Sequence, residues 1–346
     1  MEKENLTGHP LEELEAFAQR LGEKPFRGRQ LFSWLYAKKA NRFEQMTDLS
    51  KTLRAKLEET ASIGCLEPVE KSVSTSRSVK YLFRLADGER IESVYIPESG
   101  RRTLCISSQV GCAVKCAFCA TGKMGFRRNL STGEIVDQVL FISREISEPL
   151  TNIVFMGMGE PFLNYEQVIK AAQLISHEQG IAIGHRHIVI STSGIIPNIY
   201  RYADEGHKFR LAISLNSPHE AQRAEIMPIS KKYSIKALLE AAAYFYQKSH
   251  RLPTFEYVLL AGLTDREEDA VALRKLLHGF PCKVNLIPYN PTVKEFQRPD
   301  PAQIARFAEW IFPLKAPVSV RWSKGVDVNG ACGQLAGRYL QEVEAL

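Results

Sequence analysis

Beyond residue 100 short β-branched runs recur seven times, and amphipathic stretches separate most of them. The runs fall at 103–107, 152–156, 188–192, 210–215, 255–260, 283–288 and 318–322. Strands separated by helices cannot pair as hairpins; they lie parallel, with the helices crossing over the sheet faces. The pattern therefore predicts an α/β fold whose parallel sheet is closed or partly closed into a barrel. Active sites of such barrels lie where strands end and loops begin. One helix is expected to open at Asn164, with Gln167 three residues on as a capping partner. Others follow Thr264-Asp265 and run from Pro301 to Phe312. No internal repeat is present.

The first sixty residues read as helices. Leu11, Leu14, Phe17, Ala18 and Leu21 share one face, as do Leu31, Trp34 and Leu35, then Leu49, Leu53 and Leu57. With Arg27, Arg29, Lys38 and Lys39, this stretch is either an accessory domain touching nucleic acid or a structural cap. Next comes a strand pair: Val79, Tyr81, Phe83 and Leu85 alternate, Asp87-Gly88 turns, and Ile91–Ile96 returns. Glu92 shares a face with Val94 and Ile96. It is either an edge carboxylate in water or a desolvated one fit to accept a proton. Three units result: a helical accessory domain over 1–60, a β-hairpin linker over 61–98, and the barrel with a C-terminal extension over 99–346.

The 346 residues are 45% hydrophobic and 24% charged, as in globular proteins. A polar start and the lack of a long apolar run predict no secretory signal and no membrane span, hence a cytoplasmic location. The net charge is +6. From Arg101 to Arg128 six basic residues meet no acidic one, which suits either a solvated face or a polyanion such as RNA. Seven cysteines, an odd number, argue against a disulfide framework.

Three of them lie in Cys112-Ala-Val-Lys-Cys116-Ala-Phe-Cys119. Thiolates are soft ligands for iron–sulfur clusters and zinc. Structural zinc normally takes four protein ligands, and no fourth cysteine or histidine is near. Three thiolates suit a 4Fe-4S cube with one iron left open to the amino and carboxylate groups of S-adenosylmethionine. This spacing at the end of the first barrel strand, with Phe118, resembles the radical S-adenosylmethionine superfamily. The resemblance implies that Gly159 and Glu160, in Met156-Gly157-Met158-Gly159-Glu160, bind the cofactor's aminoacyl end. Ser191 in Ser191-Thr192-Ser193-Gly194 and the run Ser214-Leu215-Asn216 end the next strands. They are cofactor-binding residues or helix caps. Asn290 ends a later strand and suits the cofactor's adenine. Cys105, facing opposite to Leu104 and Ile106, and Cys332, between small residues, are thiols outside the cluster loop; each is reactive or an apolar filler.

The whole chain is similar to the RlmN family of RNA adenine-C2 methyltransferases, which has the Cfr adenine-C8 enzymes as relatives. The matching text includes Gly22-Glu23-Lys24-Pro25-Phe26-Arg27, Met46-Thr47-Asp48-Leu49, Ile91-Glu92-Ser93-Val94, Thr103–Cys112, Gly125–Leu130 and Ala331–Gly337. The resemblance implies a partial (βα)6 barrel and two S-adenosylmethionine molecules per turnover. One methylates Cys332; the other gives a radical that takes hydrogen from the S-methyl group, and the carbon adds to adenine. Cys105 then resolves the adduct, leaving a disulfide with Cys332, and Glu92 is the proton acceptor. It further implies 23S rRNA as substrate and tRNA for many members; the electron donor, a flavodoxin or ferredoxin for example, is not read from the sequence, and a monomer is assumed. The alternatives are C8 chemistry, a radical enzyme on a non-RNA substrate, and a non-catalytic metal-bearing RNA-binding module. Many members have His where Asn216 stands. His185 and His187 read as strand-edge residues rather than a metal pair.

Overall fold

The structure, a computed structural model, describes residues 3–335; the Ala336-Gly337 end of the terminal motif lies outside them. Its centre is a ten-stranded sheet. In chain order the strands are β1 Glu67–Val73, β2 Val79–Arg84, β3 Arg90–Glu98, β4 Arg101–Cys105, β5 Asn152–Phe155, β6 Ile188–Thr192, β7 Arg210–Ser214, β8 Thr254–Leu259, β9 Lys283–Pro288 and β10 Val318–Val320. Each strand pairs with the next, so space follows sequence. From β4 to β10 all pairs are parallel; from β1 to β4 all are antiparallel. Because β1 and β10 remain edges, the barrel is partial.

Six helices alternate with the parallel strands: α1 Thr132–Glu145, α2 Tyr165–Ser176, α3 Ile196–Asp204, α4 Ile235–Ser249, α5 Glu267–Leu276 and α6 Pro301–Ile311. The strands are apolar toward them, as burial on that face demands. Leu104 and Ile106 are fully buried, and the Cys105 between them turns to the lumen, as alternation predicts.

Two expectations are corrected. The segment 61–98, expected as a β-hairpin linker, contains that hairpin (β2 and β3) but adds a third strand, β1, and all three join the main sheet, β3 pairing with β4 with Val94 opposite Cys105. The Asn164–Gln167 capping pair does not form. Asn164 Nδ2 instead donates to the Ser108 and Leu130 carbonyls, and Gln167 Oε1 accepts from the N–H and hydroxyl of Thr132 at the start of α1. Contacts between elements outweigh the local cap.

The N-terminal helices Leu11–Arg20, Phe26–Phe32 and Lys51–Thr60, with the turn Ser33–Ala37 that continues the second, bury the expected faces, including Leu14, Phe17, Leu31, Leu35, Leu53 and Leu57. They dock on α1 and α2. Gly8 has φ +97° and meets Gly133 backbone to backbone, leaving no room for a side chain on either. Asp137 Oδ2 accepts from the Cys65 and Leu66 N–H groups. Among the described residues no helix is long and apolar enough to cross a membrane.

Candidate active site

The three clustered cysteines follow β4 on a loop clamped at its base. Gln109–Gly111 pairs antiparallel with Phe126–Asn129, and Cys112 N donates to the Gly125 carbonyl. All three thiols are partly accessible and border one cavity of about 140 Å³. Burial pushes Cys112 up to about 12, and raises Cys116 and Cys119. Desolvated thiols clustered like this become thiolates when metal charge offsets them.

The strand-end loops form the opposite wall. A Cβ at Gly159, whose φ is +101°, would lie 2.5 Å from Gln109 Cβ, and one at Gly157 would lie 2.6 Å from the Ile106 carbonyl oxygen. These glycines let β5 close on the cluster strand as well as line the cavity. Glu160 is buried and accepts from Phe162 N at 2.9 Å and Ser193 N at 2.7 Å. Burial raises its pKa, and those two backbone N–H groups oppose the rise. A carboxylate so fixed retains lone pairs for an ammonium group. Ser191 and Ser214 line the cavity, whereas Thr192 takes the local turn role, accepting from Gly194 N at 3.1 Å. Asn216 is also at the wall. Its φ of +59° is a left-handed position, its Oδ1 accepts from Val258 N, and its Nδ2 donates to Met227 Sδ.

Two implied cofactor contacts are placed differently. Asn290 is not among the residues lining this cavity. Its Nδ2 donates to Ser323 Oγ and the Cys332 carbonyl, and its Oδ1 accepts from Arg298. Leu215 is fully buried, its N–H bound to the Glu256 carbonyl.

A second chamber of about 520 Å³ adjoins the first through shared walls at Met156, Glu256, Ile287 and Cys332. Cys105, Arg101, Arg210, Arg321 and Trp322 line it. Cys332 is exposed and Cys105 buried; both are free thiols. Burial pushes Cys105 up to about 12, Cys332 adding to the rise and Arg321 opposing it. Dense surroundings push the Cys332 thiol up to about 11, again against Arg321. Glu92 lines neither chamber; its carboxylate lies 2.9 Å from the equally buried Lys80 ammonium.

The basic run over 101–128 is partly neutralised from elsewhere. Arg102 pairs with Glu148, Lys123 with Glu295, and Arg128 with Asp87 and Glu134. Arg101 remains at the wall of the larger chamber. His187 Nδ1 lies 3.2 Å from Asn152 Nδ2 at the start of the sheet, away from both chambers.

Sequence reasoning missed Glu256 and Arg321, and had Ser193 only as part of the run Ser191-Thr192-Ser193-Gly194. Glu256 is 5% exposed between outward-facing Phe255 and Tyr257; Asn285 donates to its Oε1, and its Oε2 has no partner. The alternation on β8 carried that signal. The Ser193 hydroxyl is likewise buried without a partner. Unmet polar atoms on the cavity wall, opposite three thiols, fit a ligand with hydroxyl and amino groups held beside an iron–sulfur cluster.

A three-thiol loop after the first strand of a partial βα barrel, facing a polar cofactor wall, defines a radical S-adenosylmethionine enzyme. The radical SAM superfamily model matches residues 106–274, and the ribosomal RNA large subunit methyltransferase N-terminal domain model matches residues 4–63. A dual-specificity RNA methyltransferase RlmN from Anaeromyxobacter sp. (strain Fw109-5) is 46% identical, covering 96% of this chain and 90% of that protein. A probable dual-specificity RNA methyltransferase RlmN from Clostridioides difficile (strain 630) is 43% identical over 95% of this chain and 96% of its own length. A crystal structure of a radical SAM methyltransferase from Sphaerobacter thermophilus superposes with a TM-score of 0.93 at 42% identity, covering 96% of this chain and 99% of that one. The chain belongs to the RlmN family of radical SAM methyltransferases.

Proposed function

We propose that this chain methylates C2 of an adenosine in 23S rRNA and of the adenosine beside the anticodon in tRNA. The observation that carries the reading is Cys332 at the junction of two chambers, one bordered by the cluster thiols and the other by Cys105 and arginines. A methyl carrier loaded on one side and discharged on the other requires such a position. Adenine C2 is an electron-poor aromatic carbon that does not attack a cationic methyl donor, so the carbon is delivered as a radical.

When bound, the cluster held by Cys112, Cys116 and Cys119 supplies one electron that cleaves S-adenosylmethionine to a 5′-deoxyadenosyl radical. The chain's own residues do the rest. Glu160 and the Ser191 and Ser214 walls hold the cofactor's polar groups. Cys332 sulfur takes a methyl group in a displacement, releasing its thiol proton. After loss of a hydrogen atom from that S-methyl group to the 5′-deoxyadenosyl radical, the carbon bonds to adenine C2, and the adduct radical gives up one electron, which the oxidised cluster would take back. Glu92 is the acceptor the family resemblance implies for the C2 proton; lying outside both chambers against Lys80, it does not meet the base directly. Cys105 thiolate then attacks Cys332 sulfur, breaking the carbon–sulfur bond and leaving a disulfide, while the released carbon keeps the bond pair and takes up a proton to become the methyl group. The base reaches the chamber by leaving its stack. The enzyme works in the cytoplasm as a monomer, with a small electron-transfer protein such as flavodoxin or ferredoxin as reductant.

The test is anaerobic reconstitution, incubation with an unmodified rRNA fragment and with tRNA, and nucleoside mass spectrometry. 2-Methyladenosine in both RNAs is expected. 8-Methyladenosine would overturn the C2 assignment, and turnover undiminished by Cys332→Ala would overturn the carrier.

A further inference from the structure

Arg223 sits in the short helix Glu220–Ile226 that follows β7, and its side chain is fully buried. Its guanidinium donates to four acceptors at 2.9 Å: the Leu215, Ser193 and Ser214 carbonyls and the Ser230 hydroxyl. All four are neutral. Among the described residues no carboxylate comes within ion-pair distance of it, whereas a buried cation ordinarily has a counter-charge. Burial draws its pKa down to about 10, with Cys116 and Glu220 acting the other way, so it stays charged at neutral pH.

The helix runs directly onto the cysteine loop. One turn past Arg223, the Ile226 carbonyl accepts from Ala117 N at 2.9 Å, and Ile226 and Met227 pack against Cys116 and Phe118. The missing counter-charge is therefore to be sought in the loop's own thiolates.

We propose that Arg223 is a positioning and tuning residue: its uncompensated charge favours the reduced form of the cluster held by Cys112, Cys116 and Cys119, while its hydrogen bonds hold two cofactor-wall loops in register. Each electron added makes a thiolate-held cluster more negative, and net charge and surroundings set its potential. A fixed cation in a low-dielectric interior stabilises the more negative state more. The inference rests on the functional reading above, because that reading supplies the cluster.

The test uses the full chain, reconstituted anaerobically with iron and sulfide and titrated with dithionite while the reduced cluster is followed by electron paramagnetic resonance. Arg223→Gln is expected to shift the midpoint potential to more negative values, and Arg223→Lys to leave it near native. Arg223→Lys, having fewer donors, should weaken S-adenosylmethionine binding about tenfold. Should Arg223→Gln fail to fold, Ser230→Asp decides alone. It supplies an anion at Nη1, keeps the three carbonyl bonds, and should also shift the potential negative. Potentials unmoved in variants with a full cluster overturn this inference alone. Native protein that takes up no cluster overturns the functional reading and this inference with it.

Discussion

The Lys80 ammonium lies 2.9 Å from the Glu92 carboxylate, with the two side chains 3% and 4% exposed. Removing one partner of such a buried pair leaves an uncompensated charge and costs about 3–5 kcal/mol. Lys80→Met is therefore expected to lower the unfolding free energy by about that much in a urea titration. Lys80→Met with Glu92→Leu should regain most of it. The double variant, folded but lacking the proposed proton acceptor, should leave RNA unmethylated.

Cys105 and Cys332 line one chamber, and the proposed roles divide between them. Cys105→Ala should accumulate a covalent protein–RNA species on denaturing gels. Cys332→Ala should give no such species and no methylated nucleoside, while still forming 5′-deoxyadenosine. A covalent species in Cys332→Ala would sink the division of labour.

A Cβ added at Gly133 would come within 2.5 Å of the Thr7 carbonyl. Neither backbone can yield easily, and overpacking of this kind costs about 1–3 kcal/mol. Gly133→Ala should lower the melting temperature and expose the connection near residue 63 to limited proteolysis. An unchanged cleavage pattern would show that the N-terminal helices dock independently of this contact.

Burial raises the pKa of Glu256, against Arg321 and Asn285. For a carboxylate raised in the folded state, stability is full below its unfolded value near 4.5 and falls as pH rises through the folded value. Glu256→Gln removes that loss. Its melting temperature relative to native should therefore climb as pH rises above the ordinary carboxylate range, whereas a constant offset would contradict the raised carboxyl.

At φ +59°, Asn216 occupies a region that favours Asn and disfavours most other side chains. His is also enriched there, which accounts physically for the exchange between this chain and its relatives. Asn216→His should bind S-adenosylmethionine within about threefold of native by equilibrium dialysis, an energy change below about 1 kcal/mol. Asn216→Ala, which loses the bond to Val258 N, should be destabilised by about 1–2 kcal/mol.

The barrel was legible because its signal is periodic: β-branched runs alternating with amphipathic helices over 103–322 admit few other arrangements. The cysteine loop was legible because its spacing is local. What escaped was whatever depends on distant parts of the chain meeting. Arg223 carries no motif or periodic signal in the sequence, and only the fold encloses it with four acceptors from three segments. Asn290 suited an adenine contact by its position after β9, yet its amide is bound to the Cys332 segment 42 residues on. Gln167 matched a local capping rule and was taken by another helix. Alternation left Glu92 open between an edge carboxylate in water and a desolvated one; the structure buries it, and its partner Lys80 on the neighbouring strand could not be named from alternation alone.

The last strand, Val318–Val320, ends before Cys332, so that thiol hangs on a segment outside the sheet. It is moored by Asn290 to the Cys332 carbonyl, Gln334 to the Pro291 carbonyl, Ala120 N to the Gly333 carbonyl and Thr121 to the Leu335 carbonyl. Each mooring is worth roughly 1 kcal/mol net, and none belongs to a strand ladder. In the proposed carrier role, a thiol on an arm outside the ladder passes its carbon from one compartment to the other without any strand bond being broken.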